Sequence, residues 1–347
     1  MQLTANQRLA ILLHGGIRGT YGKTGLSLLR YSETPIVAVI DGQCAGESLP
    51  LLTGIAREIP VVATVEAALA YAPDVLAIGI APSGGALPEQ CWQEVKQAVA
   101  AGLSVVNGLH TPMATLPEFR DLRAGQWIWD VRQEPPNLPI ASAQARSLPC
   151  RRVLTVDTDM GVGKMSTSLE LNWAGQRRGL RSKFLATGQA GLMLAGDGVA
   201  LDAVRVDFAA GAVEQMVMSF GNNYDILQIE GQGSLLHPGS TATLPLLRGS
   251  QPTQLILVHR ARQTHVRNHP HVPIPPLGEV IRLYETVAGA AGALAPVSVV
   301  AIALNTAHLD ASDAELAIEQ TKAETGLPGT DPVRFGAEVL LDAVMQN

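Results

Sequence analysis

The segment Val153-Leu154-Thr155-Val156-Asp157-Thr158-Asp159-Met160-Gly161-Val162-Gly163-Lys164-Met165-Ser166-Thr167 reads as a strand, a loop and the first turn of a helix. It approximates a P-loop. In such a loop, glycines let backbone N–H groups wrap closely round phosphate oxygens. A lysine neutralises those oxygens, and the helix N-terminus adds partial positive charge. Gly163-Lys164 stands where the Gly-Lys pair belongs. Two positions depart from the pattern. Thr158 occupies the first glycine position, and Met165 stands where Ser or Thr usually ligates Mg²⁺, leaving Ser166 and Thr167 as nearby hydroxyls. The expected phosphate-binding set is Thr158, Gly161, Gly163, Lys164, Met165, Ser166 and Thr167.

Further along, DILQIEGQGSLLHPG is an apolar strand ending in Glu230, followed by Gly231-Gln232-Gly233-Ser234. In P-loop folds a carboxylate at the end of a neighbouring strand approaches the phosphate site, where it takes a proton, orients water or holds Mg²⁺. Glu230 is therefore a candidate for one of these roles, with Gln232 and Gly233 beside it. ATGQAGLMLAGDGVALDAV (186–204) reads as a long Gly-rich connection after a strand, which puts Thr187 and Gln189 in a strand-end loop. The basic run His259 to His271 holds Arg260, Arg262 and Arg267 and suits an anion. Pro270 interrupts the spacing of His265, His269 and His271, and no Cys or carboxylate joins them, so no metal site is expected.

The elements that must position these groups come from the composition. The 347 residues are 47% hydrophobic, 16% charged and 4% aromatic, with 34 glycines. Such a chain fills its core with aliphatic side chains and is neither disordered nor a coiled coil. Short aliphatic runs alternate with Ala-rich helical ones, which predicts an α/β fold with parallel sheets. In the first half the strands are 11–16, 35–41, 59–65, 74–81 and 103–110, with a helix at 88–101. The stretch 131–150 has four prolines and reads as a linker. In the second half the strands are 151–157, 181–187, 224–231, 254–260 and 297–305. Helices are expected at about 165–178, 207–220, 278–290, 311–324 and 333–345. Two domains follow, 1–145 and 146–347. Ligands on parallel sheets sit at the carboxyl ends of strands. In the first half that edge holds Asp41, the turn Pro82-Ser83-Gly84-Gly85, and Asn107-Gly108-Leu109-His110. Gly22-Lys23-Thr24 lacks strict P-loop spacing and reads either as a Gly-rich anion-binding turn with Lys23 and Arg30 or as a loop with solvated bases. His14 and His308 read as satisfied residues beside apolar strands.

The net charge of −6 disfavours a nucleic-acid partner. Cys44, Cys91 and Cys150 form no CxxC pair, and no leader or membrane span is apparent. The chain is expected to be cytoplasmic, to act on a small molecule, and to form a homo-oligomer.

Taken together, GKTGLSLLRYS (22–32), IVAVIDGQCAG (36–46), GIAPSGGALP (79–88), GLH (108–110), WDVR (129–132), TDMGVGKMSTSLEL (158–171), ATGQAGLMLAG (186–196) and IEGQGSLLHPG (229–239) resemble a known family. It was once labelled a domain of unknown function and is now described as D-glutamate N-acetyltransferase-like. The resemblance covers nearly the whole chain. It implies a Rossmann-like N-terminal domain and a P-loop NTPase-like C-terminal domain, with acetyl-CoA as donor and an amino acid such as D-glutamate as acceptor. Asp157 departs from it, since glycine is expected there; a carboxylate at that point faces an anion unfavourably. On this view Glu230 or Asp159 is the base, and the loop with Lys164 holds phosphate. Arg30, Arg132 or Arg260 pairs with acceptor carboxylates, with Lys23, Asp41 and His110 on the same substrate side. The loop is also similar to that of dethiobiotin synthetase-like enzymes, which use ATP. An ATP- and Mg²⁺-dependent ligase or kinase, and a nucleotide-binding regulatory protein without turnover, are the two alternative readings.

Overall fold

Short runs of Leu, Ile, Val and Ala form two six-stranded sheets, and every strand pairing in them is parallel. The computed structural model describes residues 3–82 and 85–346. Ser83 and Gly84 of the expected turn lie outside the described residues. The chain divides into two compact units, Met1–Gln133 with Gln189–Gly196, and Glu134–Gly188 with Asp197–Asn347.

The first unit runs β1 (Leu9–Leu12), α1 (Lys23–Tyr31), β2 (Ile36–Ile40), α2 (Leu49–Thr53), β3 (Val61–Val62), α3 (Val65–Leu69), β4 (Val75–Ile78), α4 (Glu89–Ala101), β5 (Ser104–Asn107) and β6 (Ile128–Asp130). Its strand order is β3-β2-β1-β4-β5-β6, the Rossmann order. The strands are shorter than the sequence suggests because loops begin as soon as each chain leaves the sheet. β6 was not anticipated from sequence. Its three residues carry too little periodicity, but they pair with β5 from Ile128 to Asp130.

The second unit runs β7 (Arg151–Asp157), α5 (Lys164–Arg177) and β8 (Ser182–Leu185). The chain then crosses to the first unit for α6 (Gln189–Ala195). It returns for α7 (Val206–Phe220), β9 (Ile226–Ile229), α8 (Thr243–Ser250), β10 (Gln254–Arg260), α9 (Leu277–Ala288), β11 (Val299–Asn305), α10 (Ala311–Thr325), β12 (Gly329–Thr330) and α11 (Glu338–Gln346). The order is β12-β11-β10-β7-β9-β8. β7 is central, with β9 on one side and β10 on the other. Alternate residues of its strands face opposite cores. Leu154, Val156, Leu255 and Leu257 pack with Val213, Val217, Leu246 and Val280 of α7, α8 and α9. Val153, Ile256, Val258 and Ala301 pack with Leu171, Leu340 and Val344 of α5 and α11. Burial of both faces is why these strands read as continuous apolar runs. Among the described residues no helix is long and apolar enough to cross a membrane.

Two expectations change. The stretch 186–204 is not one long loop, because QAGLMLA folds as α6. Nor does 131–150 hang free between units. Ser142 donates to Glu214 of α7 through its N–H (2.7 Å) and hydroxyl (3.1 Å), and the Gln144 N–H donates to the same carboxylate. The Arg205 guanidinium holds Glu134 (2.7 Å), and the segment from Glu134 onward belongs to the second unit. Glu214 is buried, and its loss leaves several donors without an acceptor. Glu214→Ala is expected to lower unfolding stability by about 2–4 kcal/mol, read from denaturant melts; a change below about 0.5 kcal/mol contradicts this anchoring.

Candidate functional site

β7 ends in Asp157, the loop runs from Thr158 to Gly163, and α5 begins at Lys164. Gly163 has φ of 125°, a backbone conformation L side chains rarely adopt, so the glycine is required to turn the loop into the helix. The N-cap of α5 is Gly163, which has no side chain to cap the helix. The first N–H groups of a helix have no intrahelical partner, so this end of α5 suits an anion. The loop is held from outside. Asn305, at the end of β11, donates its amide to the Val162 carbonyl (2.9 Å). The Thr158 N–H donates to the Val258 carbonyl (3.2 Å), and its hydroxyl shares a hydrogen bond with His259 Nδ1 (2.9 Å).

Lys164 and Asp157 are both buried and form an ion pair. The Asp157 carbonyl accepts from the hydroxyls of Tyr284 (2.7 Å) and Ser234 (3.1 Å), which fixes the strand end. The sequence set the carboxylate of Asp157 against the ligand; in the structure it neutralises the loop's own lysine. Met165 and Thr167 are buried, and Ser166 is half-buried.

The carboxylate of Asp159 accepts from the Met160 N–H (2.7 Å), the Gln263 amide (2.6 Å) and the Arg267 N–H (2.6 Å). It ties the basic loop 263–267 to the P-loop. Glu230 follows β9. Its Oε2 accepts from the N–H groups of Thr187 (2.9 Å) and Gly188 (3.2 Å), and its carbonyl accepts the Thr187 hydroxyl (2.9 Å). Gly231 is packed against the loop, where a Cβ would lie 1.7 Å from the Thr155 carbonyl oxygen and 2.8 Å from Lys164 Cδ. Beyond it the Gln232 Oε1 is buried without a hydrogen-bond partner, and Gly233 has φ of 75°.

His237 belongs to this surround although the sequence gave no reason to single it out. Its ring stacks edge-on with His269, centroids 4.9 Å apart, and His269 with His271, 5.8 Å. Its Nδ1 accepts the Gly239 N–H (3.1 Å), so in the neutral ring Nε2 carries the proton. Burial lowers its pKa; Asp159 opposes that shift, and His269 and Lys164 reinforce it. Asn305 was missed as well: its place at the end of β11 was visible, but its tie to the P-loop is made only in the folded sheet. Arg260 is exposed at the end of β10, whereas Arg262 is paired with Asp313 (2.8 Å).

The remaining predicted residues belong to the first unit. Asp41 is fully buried, and it accepts from the N–H groups of Gly15 (3.1 Å), Ile17 (3.4 Å) and Gln43 (3.1 Å); it shapes the loop after β1 instead of facing a ligand. Lys23 is exposed at the start of α1. Arg30 is in the last turn, about 10 Å along the axis toward the opposite sheet edge, so the two do not share a turn. His110 is exposed and Arg132 half-buried, both just past strand ends. Gln189 opens α6 and donates to the Thr24 hydroxyl (3.2 Å), which separates it from Thr187. His14 is satisfied, bonded to Glu94 (2.9 Å) and to the Gly42 N–H (3.1 Å). Among the described residues no cluster of three or more His, Cys, Asp or Glu is arranged to hold a metal.

A Rossmann-like domain model of the DUF1611 N-terminal type matches residues 42–134, and the DUF1611 P-loop domain model matches residues 139–341. The chain belongs to this family. Its sequence is 37% identical over 284 residues to a D-glutamate N-acetyltransferase of Tritonibacter scottomollicae, covering 81% of this chain and 84% of that one. A D-glutamate N-acetyltransferase of a Pseudoalteromonas species is 34% identical over 268 residues, covering 76% and 79%. The crystal structure of a DUF1611 family protein from Anabaena variabilis ATCC 29413 superposes with a TM-score of 0.96 at 72% identity, covering 99% of this chain and 100% of that one.

His259 supplies a pH test of the loop. Burial pushes its pKa from 6.5 down to about 4. A depressed histidine pKa means the unfolded chain binds the proton more tightly. The stability contributed by neutral His259 is therefore complete above pH 6.5 and is lost as pH falls toward about 4. His259→Asn is expected to flatten the fall in Tm across that window, and an unchanged slope contradicts the assignment.

Proposed function

We propose that this chain is an N-acetyltransferase that moves acetyl from acetyl-CoA to the amine of a small amino acid such as D-glutamate, with the P-loop of the second unit holding the CoA phosphates. The observation that carries this reading is a phosphate cradle lacking the hydroxyl after its lysine. Gly161, Gly163, Lys164 and the α5 N-terminus are groups that suit a phosphate, while buried Met165 offers no hard oxygen ligand for Mg²⁺. The same position weighs against an ATP- and Mg²⁺-dependent ligase or kinase. The names of the curated relatives supply the reaction class and the acceptor.

The residues present fit the reaction's needs. Glu230 stands nearly buried at a strand end beside the cradle, fixed through Oε2 by the Thr187 and Gly188 N–H groups. It takes the ammonium proton of the acceptor. The free amine then attacks the acetyl carbon; as the C–N bond forms the nitrogen gives up a second proton, which passes to the thiolate departing as the C–S bond breaks, and Glu230 returns the first proton to solvent. Donors must also stabilise the tetrahedral oxyanion, and in this reading Arg260, exposed at the end of β10, pairs with an acceptor carboxylate.

The purified chain is expected to release free thiol from acetyl-CoA and to form N-acetyl product with D-glutamate; no CoA release across a panel of amino acids overturns the reading. Glu230→Gln is expected to lower kcat by about 10²–10⁴-fold with little change in KM for acetyl-CoA. Lys164→Ala is expected to weaken acetyl-CoA binding by about tenfold or more, and unchanged affinity removes the P-loop from the donor site.

A further inference from the structure

We propose that Asp157 is a specificity-determining residue that tunes the P-loop to the pyrophosphate diester of its ligand and against a terminal, dianionic phosphate. The inference rests on the donor reading above and adds to it the charge class of phosphate the loop accepts. Lys164 is the cation that an anion in this loop must meet, and its partner is the carboxylate of Asp157. Any phosphate that reaches the Lys164 ammonium is therefore also a close neighbour of Asp157.

The carboxylate cannot turn away into water. Asp157 is fully buried, and its main chain is pinned by the Tyr284 and Ser234 hydroxyls. Nor can the lysine easily leave it, since Gly231 packs against its stem and the pair is closed in on that side. With the pair intact, the attraction left at the cradle comes from the loop N–H groups and the α5 N-terminus, about half an elementary charge. That suits a phosphate carrying one negative charge. The attraction left rises in proportion to the charge on the phosphate, whereas the cost of taking the phosphate out of water rises with the square of that charge, so an unesterified terminal phosphate is penalised more than an esterified one. Mg²⁺ ordinarily relieves such a penalty, but Met165 stands where its hydroxyl ligand belongs.

The test compares ADP-ribose with ADP by titration calorimetry on the intact chain, with and without Mg²⁺. The two share adenosine and pyrophosphate and differ in whether the outer phosphate is esterified. ADP-ribose is expected to bind at least about tenfold tighter than ADP, with no gain from Mg²⁺. Asp157→Asn is expected to narrow that gap to within about threefold by strengthening ADP binding. Equal binding of the two probes to the wild-type chain overturns the proposal, as does an unchanged gap in a folded Asp157→Asn chain. If that variant does not fold, the wild-type comparison decides alone. Acetyl-CoA is titrated in parallel. If it binds and neither adenosine probe does, the loop reads something other than pyrophosphate and the proposal falls while the donor reading stands. If acetyl-CoA does not bind, the donor reading fails and the proposal falls with it.

Discussion

A lysine and a carboxylate buried beneath one loop must answer each other, because an isolated charge in that position is costly to keep from water. Much of the second unit is arranged round the Lys164–Asp157 pair. β7 carries the aspartate to the sheet edge, and the glycine turn at Gly163 brings the lysine back over it. Tyr284 reaches from α9 to hold the strand end, and burial drives its own pKa up to about 12, so that it stays a neutral donor. Asn305, His259 and Asp159 fasten the loop from β11, from β10 and from within, each with a polar group satisfied by a neighbour.

The local part of this arrangement could be read directly from residue order. β7 and β10 follow the aliphatic runs 151–157 and 254–260, and α5 begins at the Gly-Lys pair, since strand, turn and helix here are neighbours in sequence. Carboxylates were harder. Asp41, Asp159 and Glu230 each follow the end of a strand, and residue order alone gives them one meaning. In the structure all three accept loop N–H groups, and only the elements they tie differ: Asp41 holds Gly15, Ile17 and Gln43, Asp159 holds Met160 and Arg267 with Gln263 also bound, and Glu230 holds Thr187 and Gly188. Arg30 was placed beside Lys23 because the two are close in sequence, but a helix running back from the sheet edge carries them apart.

Long-range contributors left weaker traces. His237 joins the site because the turn after β9 folds back toward the loop after β10, a pairing that no spacing rule encodes. α6 was hidden by glycines on both sides, which resemble an unstructured connection when its packing partners are unknown. Those partners lie in the first unit, where the Cβ of a residue at Gly108 would meet the Met193 methyl at 2.6 Å.

The route of α6 also bears on how such a chain can be assembled over evolutionary time. A single cut near Gln133 does not yield two whole units, since the first lacks its last helix and the second carries a stranded one. The two matched regions, 42–134 and 139–341, look like separable cassettes in linear sequence, yet neither is a complete module. Exchange of one half between relatives would have to preserve the seven-residue helix in the other half's reading frame. Shuffling by simple fusion is therefore obstructed, and the halves are constrained to change as a pair.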